Sequence, residues 1–293
     1  MKKDKNKKSI FRHVRKQRLK YITILPSLVT IINGVCGFSS IILASRNEFS
    51  AAAYVVLLAM IADMLDGRLA RMSHNTSSFG GQLDSLCDVI SFGAAPAFLM
   101  LKVLEFELKL EPVFFTDNSF SQRFIWLAAA AYLSCAAIRL ARFNVENEEH
   151  ESAHMSFIGL PTPAAAGVMV SMIIFYQKYK ESLPAIKALL YAMPFVILGI
   201  AVLMVSRIRY PHLPNQYLRG KKPFSYLIKF LLLLVFFCWK PQVALVLIFW
   251  GFALSSLLKW LYYKAGLSQH IAGLRRKPVK EKTEQIESHP ELH

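Results

Sequence analysis

Apolar runs recur along the chain at about 25–45, 50–71, 81–104, 124–143, 157–176, 187–206, 224–239 and 241–261. Each approaches the roughly 20 residues that a helix needs to cross a hydrocarbon core. Few charges interrupt them, and Pro, Gly and polar clusters separate them. The pattern predicts an all-α fold, a polytopic membrane bundle of eight helices. The seventh and eighth runs are separated only by Lys240-Pro241 and fit either two full spans or a re-entrant hairpin. The organisation follows as a basic arm at 1–20, a helical core at 21–210, a further helical hairpin at 211–263 and a tail at 264–293. Mixed charge in the tail, with Arg275, Arg276 and Lys277 among glutamates, predicts a segment without fixed structure.

Charge changes the picture through its placement. The net charge is +16, and ten of the 35 basic residues fall in the first twenty positions, MKKDKNKKSIFRHVRKQRLK. No aromatic-interleaved platform accompanies them, so no nucleic acid is expected as a partner. A polybasic arm leading straight into an apolar run instead suits an anionic lipid surface and a cytoplasmic N-terminus. The loop RIRYPHLPNQYLRGKK, with five basic residues and no acid, falls on that same side. SRNEF, EFELKLEPVFFTDNS and QKYKESLPA fall on the other. Both termini are therefore expected in the cytoplasm. Cys36, Cys87, Cys135 and Cys238 stand singly in apolar stretches, without metal-ligand spacing, and read as reduced thiols.

One segment contradicts its surroundings. DMLDGRLARMSHNTSSFGGQLDSLCD, from Asp63 to Asp88, carries four aspartates and two arginines between two apolar runs. Asp63 and Asp66 are spaced i,i+3, and Asp84 and Asp88 i,i+4, so each pair shares a helix face, about 4.5 and 6 Å apart along the axis. A hairpin turn at HNTSSFG lets the two faces meet at one depth. An aspartate in a membrane helix costs about 2.5–3.5 kcal/mol at the centre, and four together repel one another. Divalent cations relieve both costs. Carboxylates are hard ligands for Mg2+ or Mn2+, and four can hold two ions. Arg68 and Arg71 add positive charge, Gly67 and Ala70 remove bulk beside the acids, and Gly80 and Gly81 permit close helix approach. The pattern points to a phosphate-bearing substrate. Acids in a proton or cation pathway are the competing reading.

Asp63-x-x-Asp66-Gly67-x-x-Ala70-Arg71, followed at fixed gaps by Gly80, Asp84 and Asp88, resembles the signature of the CDP-alcohol phosphatidyltransferase family at all eight positions. The resemblance implies six core membrane helices, a cytoplasm-facing site with two Mg2+ or Mn2+ ions, and a homodimer. It makes Asp63, Asp66 and Asp84 metal ligands, and Asp88 a ligand or near-ligand and the general base. Asp63, Gly67, Ala70 and Arg71 would face the CDP group, and Gly80 would let the second acidic helix approach. The match disfavours a transporter.

LPSLVTIINGVCGF (25–38), SFGAAPA (91–97), IRLARFNV (138–145) and GLPTPAAA (159–166) resemble the family's bacterial phosphatidylserine synthases. That likeness implies CDP-diacylglycerol as donor, L-serine as acceptor, CMP as product and the bacterial cytoplasmic (inner) membrane as location. Glycerol 3-phosphate, inositol phosphate and choline are the alternative acceptors. Ser27 stands where the family more often has Asn. Arg139, Arg142 and Asn144 are candidates for the acceptor or a phosphate, since guanidinium pairs bidentately with both anions. Ser27, Thr30 and Asn33 form a polar stripe that fits either the nucleotide pocket or helix packing. The expected chemistry is direct displacement. A covalent route would need Cys87, Ser85 or His74 as nucleophile, and Cys87 and Ser85 have no paired base in the motif.

Overall fold

The computed structural model describes residues 27–73, 78–110, 120–149, 157–182, 184–206, 208–210 and 239–275 of the 293. Each apolar run among them forms a helix, because a backbone surrounded by apolar side chains must satisfy its own hydrogen bonds. Helix α1 covers Ser27–Ser45. A tight turn with Asn47 in the left-handed region (φ 62°) leads to α2, Phe49–Ser73. Helix α3, Ser78–Asp88, runs through one π-helical turn, Val89–Ala94, into α4, Ala95–Glu107. Helix α5 is Phe120–Glu149, α6 Thr162–Tyr179, α7 Ala188–Val205 and α8 Pro241–Arg275.

Five helical stretches are long and apolar enough to cross a membrane: Ser27–Ser45, Phe49–Leu69, Phe79–Glu107, Phe120–Glu146 and Pro184–Val205. The chain is thus a polytopic helical membrane protein. Its outer surface agrees, since Leu28, Ile31, Val35 and Phe38 on α1, and Tyr191, Phe195 and Val202 on α7, are exposed. In water such apolar stripes would be a liability; facing lipid they are the appropriate solvent-side residues.

Helix α6 differs from the five. Ala165–Ile174 is buried without interruption, and α6 packs against α2, α4, α7 and the π turn, so it lies inside the bundle. It opens at Thr162, not at 157 as the apolar run suggests. Pro161 stands before it in extended conformation (ψ 138°), and Phe157–Ile158 pairs instead as a short antiparallel strand, β1, with β2, Arg209–Tyr210. Gly159 turns this strap with φ 83°, its N–H donating to Ile208 O at 2.8 Å, while Leu160 N–H donates to Leu203 O at 3.1 Å. A Cβ on Gly159 would lie 3.1 Å from Ser206 O, so the turn suits glycine on both counts.

The π turn has a legible cause. Pro96 has no N–H for the carbonyl four residues earlier, Phe92 O. The Ala95 N–H reaches back five residues to Ile90 O, and the buried Tyr132 hydroxyl on α5 donates to Phe92 O at 2.8 Å. A side chain thereby replaces the missing backbone donor.

The chain forms two compact units, Met1–Ser256 and Leu257–His293. Within the first, Phe249 on α8 rests on Gly167 of α6. Helix α8 continues to Arg275, so residues 264–275, expected as unstructured tail, are helical. No proline follows Pro241 until Pro278, and Ala, Leu and Gln sustain the helix between them. The basic arm, nearly all of the seventh run (224–239) and the tail beyond 275 lie outside the described residues.

Candidate active site

Three of the four aspartates expected to converge do so. Asp63 in the C-terminal half of α2 joins Asp84 and Asp88 on α3, one oxygen from each lying within 4.8 Å of the others. Asp66 takes a different orientation. It is buried and accepts a hydrogen bond from the Thr30 hydroxyl on α1. Asn33, one turn further along α1, donates from Nδ2 to Asp88 Oδ1 at 2.9 Å. Its carbonyl accepts from Ser91 Oγ at 2.8 Å. Two members of the polar stripe on α1 therefore touch the acids, while Ser27 is half-buried.

Close approach of α1 makes these bonds possible, and glycines on α1 provide it. A Cβ on Gly34 would sit 2.9 Å from Cys87 Sγ, and one on Gly37 would sit 2.6 Å from Ser91 Cα. Gly81 does not serve packing as expected, since a Cβ there would meet nothing within 4 Å. Gly80 is half-buried in the first turn of α3. Gly67, next to Asp66, likewise faces open space. Ala70 and Arg71 lie in the last turns of α2, and their side chains are outside the described residues.

The cationic candidates separate. Arg139 is 8% exposed, interacts electrostatically with Asp63 and Asp88, and donates from Nη1 to Thr162 Oγ1 at 2.8 Å. Arg142 is exposed and pairs with Glu146 at 2.7 Å, one turn along the same helix. Asn144 accepts from Ser85 Oγ at 3.0 Å and so ties α5 to α3. Thr162 is the site residue that the sequence reading missed. It lies within GLPTPAAA, but its bond to a helix 23 positions earlier has no local signal.

Asn33 Oδ1, Asp84 Oδ1 and Arg139 Nε are buried and have no partner among the described residues. A buried polar atom without a partner is costly, and here two open acceptors and an open donor belong to one cluster. Clustered carboxylates with a free oxygen match the oxygen-donor preference of Mg2+ or Mn2+, so the residues present fit a divalent metal. The alternative nucleophiles fit less well. Ser85 is engaged with Asn144 and Gly81 O, Cys87 is buried against Gly34, and His74 lies outside the described residues.

Residues 23–205 match the family model described as CDP-alcohol phosphatidyltransferase. A CDP-diacylglycerol–serine O-phosphatidyltransferase of Helicobacter pylori is 35% identical over 239 residues, 82% of this chain and 92% of the relative. One of Methanocaldococcus jannaschii is 32% identical over 198 residues, 68% of this chain and 79% of the relative. An archaetidylserine synthase of Methanothermobacter thermautotrophicus is 33% identical over 195 residues, 66% and 71% of the two chains.

Proposed function

The chain belongs to the CDP-alcohol phosphatidyltransferase family, a family of transferases, and on that premise we propose that it moves the phosphatidyl group of CDP-diacylglycerol to the hydroxyl of L-serine, releasing CMP. The observation that carries this reading is the convergence of Asp63 on α2 with Asp84 and Asp88 on α3. Relatives named for the serine reaction supply the acceptor.

Asp88 is the general base. Its position between Asn33 Nδ2 and the other carboxylates fixes one oxygen and leaves the carboxylate able to take the serine hydroxyl proton. The serine oxygen then forms its bond to the β-phosphorus as the bond to CMP breaks, and CMP leaves with the electron pair. Two divalent ions held by Asp63, Asp66, Asp84 and Asp88 would withdraw negative charge from the phosphate oxygens and the departing CMP. Gly67, Ala70, Arg71 and Gly80 line the CDP side, with Ser27, Thr30 and Asn33 along α1. Thr30 and Asn33 also orient Asp66 and Asp88. Arg139 holds an anionic group, either the serine carboxylate or a donor phosphate, and Arg142 and Asn144 border that side. The protein works as a homodimer in the bacterial inner membrane, with its site, both termini and the basic arm toward the cytoplasm and its anionic lipid surface.

The test is CMP release by the purified protein in detergent, with CDP-diacylglycerol and a panel of L-serine, glycerol 3-phosphate, inositol phosphate and choline. Release with L-serine alone is expected. Release only with another alcohol would replace the acceptor, no release with any would defeat the proposed reaction, and release with any of them excludes the transporter.

A further inference from the structure

We propose that Thr162 is a positioning residue for phosphatidyl transfer, its hydroxyl holding the Arg139 guanidinium so that its charge and a free N–H remain available to an anionic group of the substrates. This rests on the reading of Arg139 as an anion binder given above. A buried guanidinium within electrostatic reach of Asp63 and Asp88 would ordinarily close onto one of them as a bidentate pair. Arg139 forms no ion pair among the described residues. Its Nη1 instead donates to Thr162 Oγ1 at 2.8 Å, and its Nε is buried and has no hydrogen-bond partner among the described residues.

The identity of the tether matters. A carboxylate partner would cancel the charge, as Glu146 does for Arg142 three residues further on. A hydroxyl fixes the guanidinium plane and cancels nothing. Thr162 can act as a fixed point because it is fully buried and opens α6. The strap before it is also pinned, Gly159 N–H to Ile208 O and Leu160 N–H to Leu203 O. The anion that completes Arg139 is a carboxylate if it belongs to the acceptor and a phosphate if it belongs to the donor.

The experiment compares full-length wild type with Thr162→Val, Thr162→Ser and Arg139→Gln in detergent. It measures KM for L-serine, KM for CDP-diacylglycerol, kcat and Tm. Thr162→Val is close in shape and replaces the hydroxyl with a methyl group. It should raise one KM roughly tenfold and shift the other less than about twofold, with a fall in Tm because the buried Arg139 Nη1 loses its partner, whereas Thr162→Ser should restore most of both losses. A raised serine KM assigns the carboxylate, and a raised CDP-diacylglycerol KM assigns the phosphate. Thr162→Ala gives the same test should the Val variant not be recovered. If Arg139→Gln raises a KM and Thr162→Val does not, or Ser fails to rescue, the role of Thr162 is overturned and the reading of Arg139 survives. If Arg139→Gln changes neither KM, both fall.

Discussion

Two polar clusters sit on the stretch Phe79–Glu107, one in its first third and one at its C-terminal end, and they are built on opposite rules. At its far end Glu107 accepts from the Tyr176 hydroxyl at 3.0 Å and from Lys180 Nζ at 2.8 Å, with Gln177 Nε2 at 3.5 Å. One acid meets one cation, and both carboxylate oxygens are used. About 28 Å back along the helix, at 1.5 Å per residue, Asp88 meets Asp63 and Asp84, with Asp66 beside them. The buried cation there, Arg139, is tied to a neutral hydroxyl. Three of the four buried side-chain atoms without a partner among the described residues belong to this second group. A closed cluster joins α4 to α6 and needs nothing further. An open one retains repulsion and unmet hydrogen bonds, which makes sense where a cation and a charged substrate complete it.

The sharpest way to break this contrast is to withhold the cation. Exhaustive chelation of divalent metal should reduce CMP release to background, and added Mg2+ or Mn2+ should restore it. The same ions should raise Tm, because a ligand that binds only the folded state stabilises it. Unchanged activity and Tm after chelation would mean that the acids are satisfied without metal. Next in size is Asp88→Asn, which keeps an oxygen for Asn33 Nδ2 to donate to but removes the proposed base. Turnover should fall by about 10²–10⁴-fold, the usual contribution of general acid–base catalysis. Tm in metal-free buffer should not fall, since one repelling charge is gone. Turnover near wild type would remove Asp88 from that role.

How much of this was legible depends on the range of the signal. Asp63, Asp84 and Asp88 were readable because i,i+3 and i,i+4 spacing fixes a helix face, and a short turn brings two such faces together. The apolar runs located α1 to α5 and α7 within a few residues because the bilayer sets their length and composition. The misreadings came from local apolarity without tertiary context. FIGLP at 157–161 is as apolar as a span, yet Pro161 and the pairing with Arg209–Tyr210 keep it out of α6. Gly81 was favoured for close packing by its proximity to the acids, but the contact belongs to Gly34 and Gly37 on α1. Arg139 and Arg142 look equivalent in sequence. Only the packing of α6 beside α5 shows that one meets Thr162 and the other reaches Glu146. Tyr132 was readable in principle, since Pro96 implies an orphaned carbonyl, but its position on another helix was not.

The smallest expected effect tests the closed cluster. Glu107→Gln keeps the shape of the side chain and removes its charge, so Lys180 loses its partner and Tyr176 donates to a weaker acceptor. The Lys180–Glu107 pair is partly exposed, at 31% and 15%, which limits the loss. Polar contacts between membrane helices also average well under 1–2 kcal/mol. Destabilisation of about 1 kcal/mol is therefore expected, read as a small drop in Tm with KM for both substrates unchanged. A KM shift, or a change in metal dependence, would show that the two clusters on Phe79–Glu107 are coupled and that the closed cluster also tunes the open one. A Tm drop alone would assign Glu107 to the cohesion of α4 and α6, because a change confined to stability has no route to the acids about 28 Å away.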